Sequence, residues 1–405
     1  MKGGKTMRKM QKSGDEARGR ERLLTVPFVM LTVLSCMVTV CLQMTVTAVP
    51  LMTVSWGYDP SVAGISTTAC TLAALLFRPA SARLAIRLGE KKCALYGAGI
   101  YIIVFVLCLK NRDLWGLLIL RTLQGVGMSL LTTSVGAMLT ARLPKCRIAE
   151  GMGYFGLGNA VALSLGPSIG LVLSRHGGFS CVFLFGIFLS VFIAVSLLFF
   201  HGNNGGGQAR PTEGKVGKKK GFWKLAAGSG ALLPSFFSIS LIFCQMSLST
   251  YLSFWGAENA IVDVSIFFTT NLFGMIVSRL CLGKLCRWFG EPFVCMASVI
   301  LLAVSYLLIA LYIDVPVLWI AGTAYGLGYG ILYSFMNAAG VEQSNGENRS
   351  AANAVFFGAK DLGSAAGAVL WGGILAVMDY GMLYLLSAGL TFVGGMGFFC
   401  WKRQR

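Results

Sequence analysis

Charged residues are scarce in this chain, and acidic residues are the scarcest of them. Asp, Glu, Lys and Arg together make up 12% of the 405 residues, whereas 56% are hydrophobic. Soluble domains carry about 25% charged residues, so a water-soluble fold of this length could not cover its surface with so few. The composition therefore predicts a protein that crosses a membrane many times.

The residues that commonly bind metals or carry out catalysis are also few. The chain has two histidines, His176 and His201, and its 12 cysteines form no C-x-x-C pair. It contains neither the G-x-x-x-x-G-K-[ST] phosphate loop nor the H-E-x-x-H zinc motif. We interpret the cysteines as small hydrophobic residues, and we expect no cofactor, no metal site and no enzymatic activity.

Long apolar runs are what the chain has in abundance. A helix needs about 20 apolar residues to cross the hydrocarbon layer, and twelve runs qualify. They lack the in-and-out alternation of membrane barrel strands, so the sequence predicts an all-α membrane protein with twelve transmembrane helices. The predicted spans are 25–52, 60–80, 93–109, 115–141, 149–174, 178–200, 231–255, 262–283, 293–312, 316–340, 350–376 and 382–400.

The Lys and Arg residues are concentrated in alternate loops. With the N-terminus inside the cell, the inner segments hold 29 of the 34, and the outer loops and their helix ends are mostly acidic. Basic residues collect in cytoplasmic loops, so we predict a multi-pass protein of the cell membrane with both termini in the cytoplasm. The net charge of +18 then serves contact with the lipid bilayer, and we expect no nucleic-acid partner.

The longest polar stretch divides the spans into two groups of six. It is Gly-rich and basic, which is typical of flexible linkers. The predicted organisation is a basic cytoplasmic tail at 1–24, a six-helix bundle at 25–200, a flexible basic cytoplasmic linker at 201–228, a second six-helix bundle at 229–400 and a cytoplasmic tail at 401–405.

The two groups of six repeat each other at an offset of 201 residues. A shared offset at separate landmarks indicates an internal duplication. Because six spans separate the copies, both halves start on the same side of the membrane, as parallel repeats do. Two such bundles can rock against each other around a central cavity, so the repeat favours a transporter over a channel. The matched pairs include Arg78 and Arg279, Gly89 and Gly290, Gly125 and Gly326, and Gly127 and Gly328.

Three short motifs give the chain a resemblance to a known family. RTLQGVG (121–127) matches Arg-x-x-Gln-Gly-x-Gly in the fourth span, and ARLAIRLGEKK (82–92) partly matches Gly-x-Leu-Ala-Asp-Arg-x-Gly-Arg-Arg after the second. GLGNAVALSLGPSIG (156–170) contains G-P-x-x-G in the fifth span. Over residues 25–400 the chain resembles the major facilitator superfamily, in particular its twelve-helix drug and metabolite efflux branch. The resemblance implies two pseudo-symmetric six-helix bundles.

Two charged residues inside predicted spans are the candidates for proton coupling. An arginine within a span must face protein or water rather than lipid, and Arg121 shares its helix face with Gln124. The resemblance implies proton coupling or anion binding for Arg121, and the alternative is an arginine that fixes helix packing by bonding backbone carbonyls. Asp361 is the only carboxylate clearly inside a predicted span; the alternative for it is a structural ion pair with Lys360 or Arg121.

The resemblance also implies residues that gate the cavity. Ile86 replaces the carboxylate that latches the cytoplasmic side in the family, so the alternative for loop 82–92 is a basic topology anchor. The G-P-x-x-G motif is associated with exporters in the family, and a kinked packing helix is the alternative. The gating candidates are Arg83, Arg87, Gly89, Gly166, Pro167 and Gly170.

Polar and aromatic side chains of spans 1, 4, 7 and 10 are candidates for binding a substrate, because these spans line the cavity in the family. Asn159 and Asn271 are secondary choices, and each residue taken singly is as well explained by interhelical packing. As a set they predict a mixed polar and aromatic cavity for a small organic solute. The candidates are Gln43, Gln124, Gln245, Tyr251, Tyr325, Tyr329 and Asn337.

Taken together, the sequence predicts a monomeric secondary active transporter that works by alternating access. We expect proton-coupled efflux of a small organic molecule, with the direction resting mainly on the fifth-span motif. One alternative is a proton-coupled importer of a small solute with the same architecture. The other is a membrane receptor or scaffold of this fold that transports nothing.

Overall fold

A computed structural model describes residues 25–142, 148–200, 232–261, 263–312, 314–342 and 349–403, and within these ranges every regular element is an α-helix. The predicted tail 1–24 and linker 201–228 lie outside the described residues. The helices are α1 (Val26–Ser55), α2 (Pro60–Leu88), α3 (Glu90–Lys110), α4 (Leu114–Thr140), α5 and α6 (within Ile148–Phe199), α7 (Leu232–Glu258), α8 (Ser265–Phe289), α9 (Glu291–Leu311), α10 (Val315–Glu342), α11 (Arg349–Leu375) and α12 (Tyr380–Arg403).

Helices α5 and α6 form one run of 52 residues that is broken at Gly178. An unbroken helix of that length would measure about 78 Å, more than twice the ~30 Å hydrocarbon thickness. Gly178 has a φ of 71°, so α5 covers 148–177 and α6 covers 179–199. Counted on either side of this break, the described residues form twelve helices. Nine stretches among them are long and apolar enough to cross a membrane, which confirms the predicted all-α membrane fold.

Several helices run further than the predicted spans. Helix α2 continues to Leu88 instead of ending near residue 80, and α8 continues to Phe289 instead of residue 283. The additional turns carry exposed basic side chains such as Arg83 and Arg287. The apolar pattern locates only the part of a helix that lies in hydrocarbon, whereas the helix itself continues until its backbone is interrupted.

Helices α2 and α8 both end at a glycine with a positive φ. The angle is 89° at Gly89 and 79° at Gly290, a region that glycine adopts without a steric penalty. The carbonyl oxygens of these glycines accept the first hydrogen bonds of the next helices, from the amides of Cys93 at 3.1 Å and Val294 at 3.2 Å. The two joints are equivalent and lie 201 residues apart, as a duplication requires.

The packing of α4 on α2 is repeated by the packing of α10 on α8. A Cβ atom placed on Gly125 of α4 would overlap the carbonyl oxygen of Cys70 in α2. In the second half, a Cβ atom on Gly326 of α10 would overlap the carbonyl oxygen of Asn271 in α8. Cys70 and Asn271 are themselves 201 residues apart, so the repeat found in the sequence is reproduced in backbone contacts that only glycine permits.

A second glycine on each of these helices contacts the third helix of its half. A Cβ atom on Gly127 would lie 3.2 Å from the carbonyl oxygen of Gly97 in α3, and one on Gly328 would lie 2.7 Å from that of Ser298 in α9. These contacts also match at the offset of 201. Helices α4 and α10 are therefore fixed on two faces each, in the same way in both halves.

Each half has its own buried apolar core. One cluster consists of residues between Phe28 and Phe200, and most of the other lies between Leu241 and Phe398. The exceptions are Ala63 of α2 and Leu171 of α5, which belong to the second cluster. Both residues lie on helices of the first half that pack against the second half, so they mark the boundary between the two bundles.

The two halves approach each other more closely at one end of the α2–α11 contact than at the other. We call the side on which α1 begins and α12 ends the terminal side. Toward the opposite side, a Cβ atom on Gly64 of α2 would overlap the carbonyl oxygen of Ala368 in α11. Closer to the terminal side, a Cβ atom on Gly358 of α11 would meet nothing nearer than Leu75 of α2, at 4.0 Å. The contact between α2 and α11 is therefore looser toward the terminal side.

Candidate functional site

The guanidinium of Arg121 is enclosed by the first half of the protein. Its Nη1 atom donates to Oγ1 of Thr45 in α1 at 2.8 Å and to Oε1 of Gln124 in α4 at 2.6 Å. Its Nε atom donates to the carbonyl oxygen of Ser66 in α2 at 3.3 Å. The residue is 1% exposed, so the charge faces protein rather than lipid, as the sequence predicts.

All three acceptors around Arg121 are uncharged. Its Nη2 atom is buried and has no hydrogen-bond partner in the described part of the chain. Holding a cation away from water without a counter-charge costs several kcal/mol, and an unsatisfied donor adds to that cost. The hydrogen bond from Arg121 to a backbone carbonyl supports the hypothesis that it fixes helix packing. The unsatisfied Nη2 atom supports the hypothesis that it couples protons or binds an anion.

Asp361 of α11 forms an ion pair with Arg78 of α2. The Oδ2 and Nε atoms are 2.5 Å apart, and the two side chains are 5% and 24% exposed. The predicted structural partners of Asp361, Lys360 and Arg121, are wrong. Neighbouring residues of a helix point about 100° apart, which turns Lys360 away, and Arg121 bonds to α1, α2 and α4 instead. The ion pair consequently joins the two halves of the protein.

The ion pair lies where the contact between α2 and α11 loosens. Asp361 is twelve residues beyond the start of α11, which is about 18 Å along the helix. One turn further from the terminal side, Oγ1 of Thr68 donates to the carbonyl oxygen of Ala365 at 2.9 Å. Toward the terminal side, the contact between α2 and α11 thus changes in three steps. Backbone atoms meet first, then a hydroxyl group meets a carbonyl oxygen, and finally two charged side chains meet.

Three tyrosines of α10, namely Tyr325, Tyr329 and Tyr333, form a stack that we call the tyrosine row. Successive ring centroids are 5.6 and 5.5 Å apart, and the ring planes meet at 18° and 10°. A spacing of four residues places all three on one helix face. The hydroxyl of Tyr329 donates to Oε1 of Gln245 in α7 at 2.8 Å. Tyr333, which is half-buried, is the member nearest the terminal side.

Arg279 of α8 lies beside the terminal end of the tyrosine row. Helix α8 packs on α10 at this level, since a Cβ atom on Gly330 would overlap the side chain of Ser278, the residue before Arg279. Its Nε atom is buried, and none of the described residues forms a hydrogen bond with it. Across the boundary in α5, the nearest atom to a Cβ placed on Gly156 would be Nη1 of Arg279, at 3.9 Å. The arginine therefore faces the backbone of the other half at a position without a side chain.

The other predicted binding residues mostly contact neighbouring helices. Tyr251 donates from its hydroxyl to the carbonyl oxygen of Ala368 in α11 at 2.6 Å. Gln43 is buried where α1 crosses α5, and its Nε2 atom has no hydrogen-bond partner within the described ranges. Asn337 is half-buried. Gln124 and Gln245 each accept a hydrogen bond through Oε1, from Arg121 and from Tyr329.

The two secondary candidates differ in their hydrogen bonding. Oδ1 of Asn159 accepts from the hydroxyls of Ser35 and Thr39, both at 3.1 Å, so Asn159 ties α5 to α1. Oδ1 of Asn271 is buried without a hydrogen-bond partner in the described chain. Asn159 is accounted for by interhelical packing, as the alternative for these residues proposes, whereas Asn271 is not.

The predicted gating residues of loop 82–92 lie at the terminal end of α2. Arg83 and Arg87 are exposed side chains on its last turns, and Gly89 forms the joint with α3. The helix continues through most of this predicted loop, so only Gly89 is outside regular structure. Such a position suits both the gating and the topology-anchor interpretations.

The gating candidates of α5 form its contact with α1. A Cβ atom on Gly166 would overlap the side chain of Gln43, and one on Gly170 would lie 2.6 Å from the carbonyl oxygen of Met44. Pro167 is buried between them. The G-P-x-x-G motif therefore brings the backbone of α5 against α1 over a full turn.

Sequence reasoning missed Arg78, Arg279 and Tyr333 as site residues. It assigns both arginines only to helix ends, because they precede clusters of topology-setting basic residues. The repeat offset that pairs Arg78 with Arg279 is the signal that marks them, and the four-residue spacing after Tyr325 and Tyr329 marks Tyr333. Thr45, which accepts from Arg121, is part of no motif and is found only from the structure.

Comparison with known proteins shows relatives along the whole chain. The sequence model of the Major Facilitator Superfamily matches residues 31–339 and 257–405. The MFS-type transporter YvkA of Bacillus subtilis strain 168 is 30% identical over 159 residues, which cover 38% of this chain and 36% of YvkA. The multidrug resistance protein MdtD of Cronobacter sakazakii is 25% identical over 257 residues, or 59% of this chain and 53% of MdtD. The matched regions span about a third and a half of these two relatives.

Solved structures with the same fold cover nearly the whole chain. The nucleoside transporter NupG superposes with a TM-score of 0.71 at 15% identity, covering 93% of this chain and 99% of NupG. A POT family transporter in complex with a thioalcohol-conjugated peptide gives a TM-score of 0.72 at 14% identity, covering 93% and 96%. At these identities the likeness shows the fold alone.

Two parallel helical halves, joined at one end and linked across their boundary by charged side chains, define a membrane transporter rather than an enzyme. The match to the family along the chain makes the assignment specific. The chain belongs to the Major Facilitator Superfamily.

Proposed function

We propose that this transporter exports a small organic molecule in exchange for protons. It works by alternating access in a cell membrane, as a monomer, with the terminal side facing the cytoplasm because Lys and Arg are concentrated there. The observation that carries the proposal is the ion pair between Arg78 and Asp361. It joins the two halves at the level where they begin to separate, so a change in its charge acts on their relative position.

Contacts between the halves away from the terminal side support alternating access. Oγ1 of Thr47 in α1 donates to the carbonyl oxygen of Ser249 in α7 at 3.1 Å. The hydroxyls of Ser168 in α5 and Thr269 in α8 are 3.4 Å apart. In the proposed cycle these contacts break and the terminal side closes, so that the cavity opens to the outside instead of the cytoplasm.

Asp361 is the proposed proton carrier. Among the described helices it is the one carboxylate placed away from a helix end. An ionised Asp361 attracts Arg78, whereas a protonated Asp361 has no charge with which to hold it. Protons and Arg78 therefore compete for the same carboxylate oxygens, and each proton bound weakens the contact between α2 and α11. This competition links the proton gradient to the movement of the halves.

Arg121 is the proposed second member of the coupling machinery. Its unsatisfied Nη2 atom and its uncharged acceptors leave a positive charge without a counter-charge inside the first half. Such a charge opposes the arrival of a second cation nearby and favours the arrival of an anion. We propose that Arg121 keeps the interior polar, stabilises anionic groups that enter it and destabilises cationic ones.

The other predicted residues have supporting roles in this proposal. Gln43, Gln124, Gln245, Tyr251, Tyr325, Tyr329 and Asn337 line or support the substrate cavity. Gly166, Pro167 and Gly170 hold α5 against α1 as the halves move, and Arg83, Arg87 and Gly89 gate the terminal side. Efflux is favoured over uptake by the G-P-x-x-G motif and by the relative named for multidrug resistance.

Everted membrane vesicles with an acidic lumen test both the transport and its direction. A pH-sensitive dye in the lumen reports proton movement after small organic carboxylates, amines and nucleosides are added outside. A proton-coupled exporter carries the compound inward and protons outward, so the lumen becomes more alkaline. Vesicles without the protein are the control, and the surface variant Glu291→Gln, whose partner is Lys402 at 2.7 Å, is the control for charge removal.

The alternatives give different results in the same vesicles. An importer driven by proton symport runs backward under these conditions and makes the lumen more acidic when its substrate is added. A receptor or scaffold binds compounds but moves none of them, so radiolabelled ligand shows no counterflow. Acidification, or binding without counterflow, would overturn the efflux proposal.

A further inference from the structure

The interior of the transporter has an excess of positive charge. Among the described residues, four cationic side chains lie within helices and away from their ends, and one carboxylate lies among them. The carboxylate, Asp361, is paired with one of the four. The remaining three positive charges have no carboxylate within ion-pair distance in the part of the chain described here. The four cations are Arg78, Arg121, Arg279 and Lys360.

The repeat shows that one of these cations differs from its equivalent in the other half by having no matching carboxylate in the sequence. Arg279 occupies in α8 the position that Arg78 occupies in α2, and it faces α5 as Arg78 faces α11. At the same offset of 201, the residue of α5 that corresponds to Asp361 is Ala160. The first arginine therefore has a carboxylate from the other half, whereas the sequence has alanine at the position that corresponds to that carboxylate for the second arginine.

The surroundings of Arg279 suit a flat anionic molecule. Its Nε atom is buried and unsatisfied, and a planar guanidinium binds carboxylates through two parallel hydrogen bonds. Helix α10 packs on α8 at this level, since a Cβ atom on Gly330 would overlap the side chain of Ser278, and Tyr333 contributes to the electrostatic surroundings of Arg279. The Tyr333 ring packs on Tyr329 and Phe356, and an aromatic molecule can extend such a cluster by an edge contact. Gly156 of α5, which has no side chain, faces the guanidinium from the other half, and Arg279 lies toward the terminal side, from which an exported molecule would enter.

We propose that the exported molecule is an aromatic organic anion whose negative group binds Arg279 while its ring packs against the edge of Tyr333. This inference rests on the proposed transport function and names its substrate class. The bound anion supplies to Arg279 the charge that Asp361 supplies to Arg78. It also bridges α8 and α5, so that binding draws the halves together on the second side of the boundary as the ion pair does on the first.

Binding to the purified full-length protein in detergent tests the substrate class. The probes are 2-naphthoate, 2-naphthamide and 2-naphthylmethylamine, which share a ring system and differ in charge. We expect naphthoate alone to raise the thermal unfolding temperature. A hydrogen-bonded charge contact is worth about 1.5–3 kcal/mol, so Arg279→Gln should raise the half-saturating naphthoate concentration about tenfold or more.

The matched control is Arg287→Gln, which removes an exposed arginine from the last turn of the same helix and should leave naphthoate binding unchanged. Equal or stronger stabilisation by the amine or the amide would overturn the proposal, as would a lack of stabilisation by naphthoate. Retained naphthoate binding in Arg279→Gln would also overturn it. Should that variant fail to reach the membrane, the ranking of the three probes on the wild-type protein decides.

The vesicle assay separates this inference from the proposed function. Naphthoate binding without counterflow would remove the transport function and keep the anion site. Proton-coupled flux of 2-naphthylmethylamine without flux of naphthoate would keep the transport function and remove the anion site. If the transport function and the anion site are both correct, adding naphthoate makes the lumen more alkaline. This alkalinisation is lost in Arg279→Gln.

Discussion

At the scale of single residues, Arg121 shows how a buried charge depends on the shape of its side chain. Its Nη1 atom serves two acceptors in different helices while Nε serves a third, which a single ammonium group on a lysine stem cannot reproduce. These three hydrogen bonds therefore require a guanidinium group and not only a positive charge. This difference makes the role of the guanidinium testable by substitution.

We predict that Arg121→Ala abolishes proton-coupled flux while folded protein still reaches the membrane, and that Arg121→Lys loses most of the flux. The alanine leaves Oε1 of Gln124 without its donor, which costs about 1–3 kcal/mol, whereas Oγ1 of Thr45 still accepts from Nε2 of Gln124 at 3.4 Å. Flux is measured in everted vesicles and folding by size-exclusion profile in detergent. Flux at the wild-type rate in both variants contradicts the coupling role; a lost size-exclusion peak supports the packing alternative.

Asp361 and Arg78 provide a test of coupling through a pair of charges. We predict that Asp361→Asn makes flux insensitive to an imposed pH gradient, because the amide binds no proton and has no charge with which to attract Arg78. Arg78→Gln should retain pH sensitivity but with lower flux, since the carboxylate remains. Flux in both variants is measured at several lumen pH values, with Glu291→Gln as the control.

The two variants separate a proton carrier from a purely structural ion pair. If the pair only holds the helices together, Asp361→Asn and Arg78→Gln lower flux equally and leave its pH dependence as in the wild type. That result would remove Asp361 from the coupling mechanism, while the architecture of the transporter would stand.

At the scale of helices, the glycines of α4 and α10 set how closely each half packs. Gly125 and Gly326 approach backbone carbonyls of α2 and α8 so closely that a methyl group has no room. Gly99 of α3 has open space at its Cβ position. The chain thus contains both the constrained positions and a matched unconstrained one, all within helices.

We predict that Gly125→Ala and Gly326→Ala each lower the thermal unfolding temperature in detergent, whereas Gly99→Ala raises it slightly or leaves it unchanged. Overpacking costs about 1–3 kcal/mol, and each kcal/mol corresponds to roughly 2–4 °C for a domain of this size. At Gly99 the alanine improves helix propensity without a clash. Equal effects at all three positions would contradict the duplicated packing.

At the scale of the whole molecule, the parts of the fold that were predictable are those that depend on local sequence. The helices follow from apolar length, and the duplication follows from one offset shared by motifs such as that at Gly125 and Gly326. The ends of α2 and α8 were not predictable from hydropathy, because a helix does not stop where the hydrocarbon layer stops. The joints at Gly89 and Gly290 determine those ends.

The partners of the charged residues depend on how the two halves meet, which local sequence does not record. Arg78 and Asp361 are separated by 283 positions, and nothing in the sequence around either one indicates the other. The adjacent Lys360 is the nearer partner in sequence but points in another direction. Predicting the pair would need the register of α2 against α11, and that register is set by the close approach of Gly64 to Ala368.

The opposing ends of the two halves yield the last prediction, which concerns their relative motion. The hydroxyls of Ser168 and Thr269 are 3.4 Å apart on α5 and α8, while a disulfide needs a sulfur separation of about 2.05 Å. A small adjustment suffices, so we predict that Ser168→Cys with Thr269→Cys forms a disulfide under mild oxidation. Transport should then stop, because the side away from the termini cannot open, and a reductant should restore it.

A protease site inserted within 201–228 makes this cross-link visible despite the 12 native cysteines. After cleavage, the two halves run together on a non-reducing gel only where the engineered disulfide joins them. The single variants Ser168→Cys and Thr269→Cys are the controls, and both should give separate halves and normal flux. Undiminished flux in fully cross-linked protein would mean that the halves need not part at this end, and alternating access by rocking of two bundles would then be wrong for this chain.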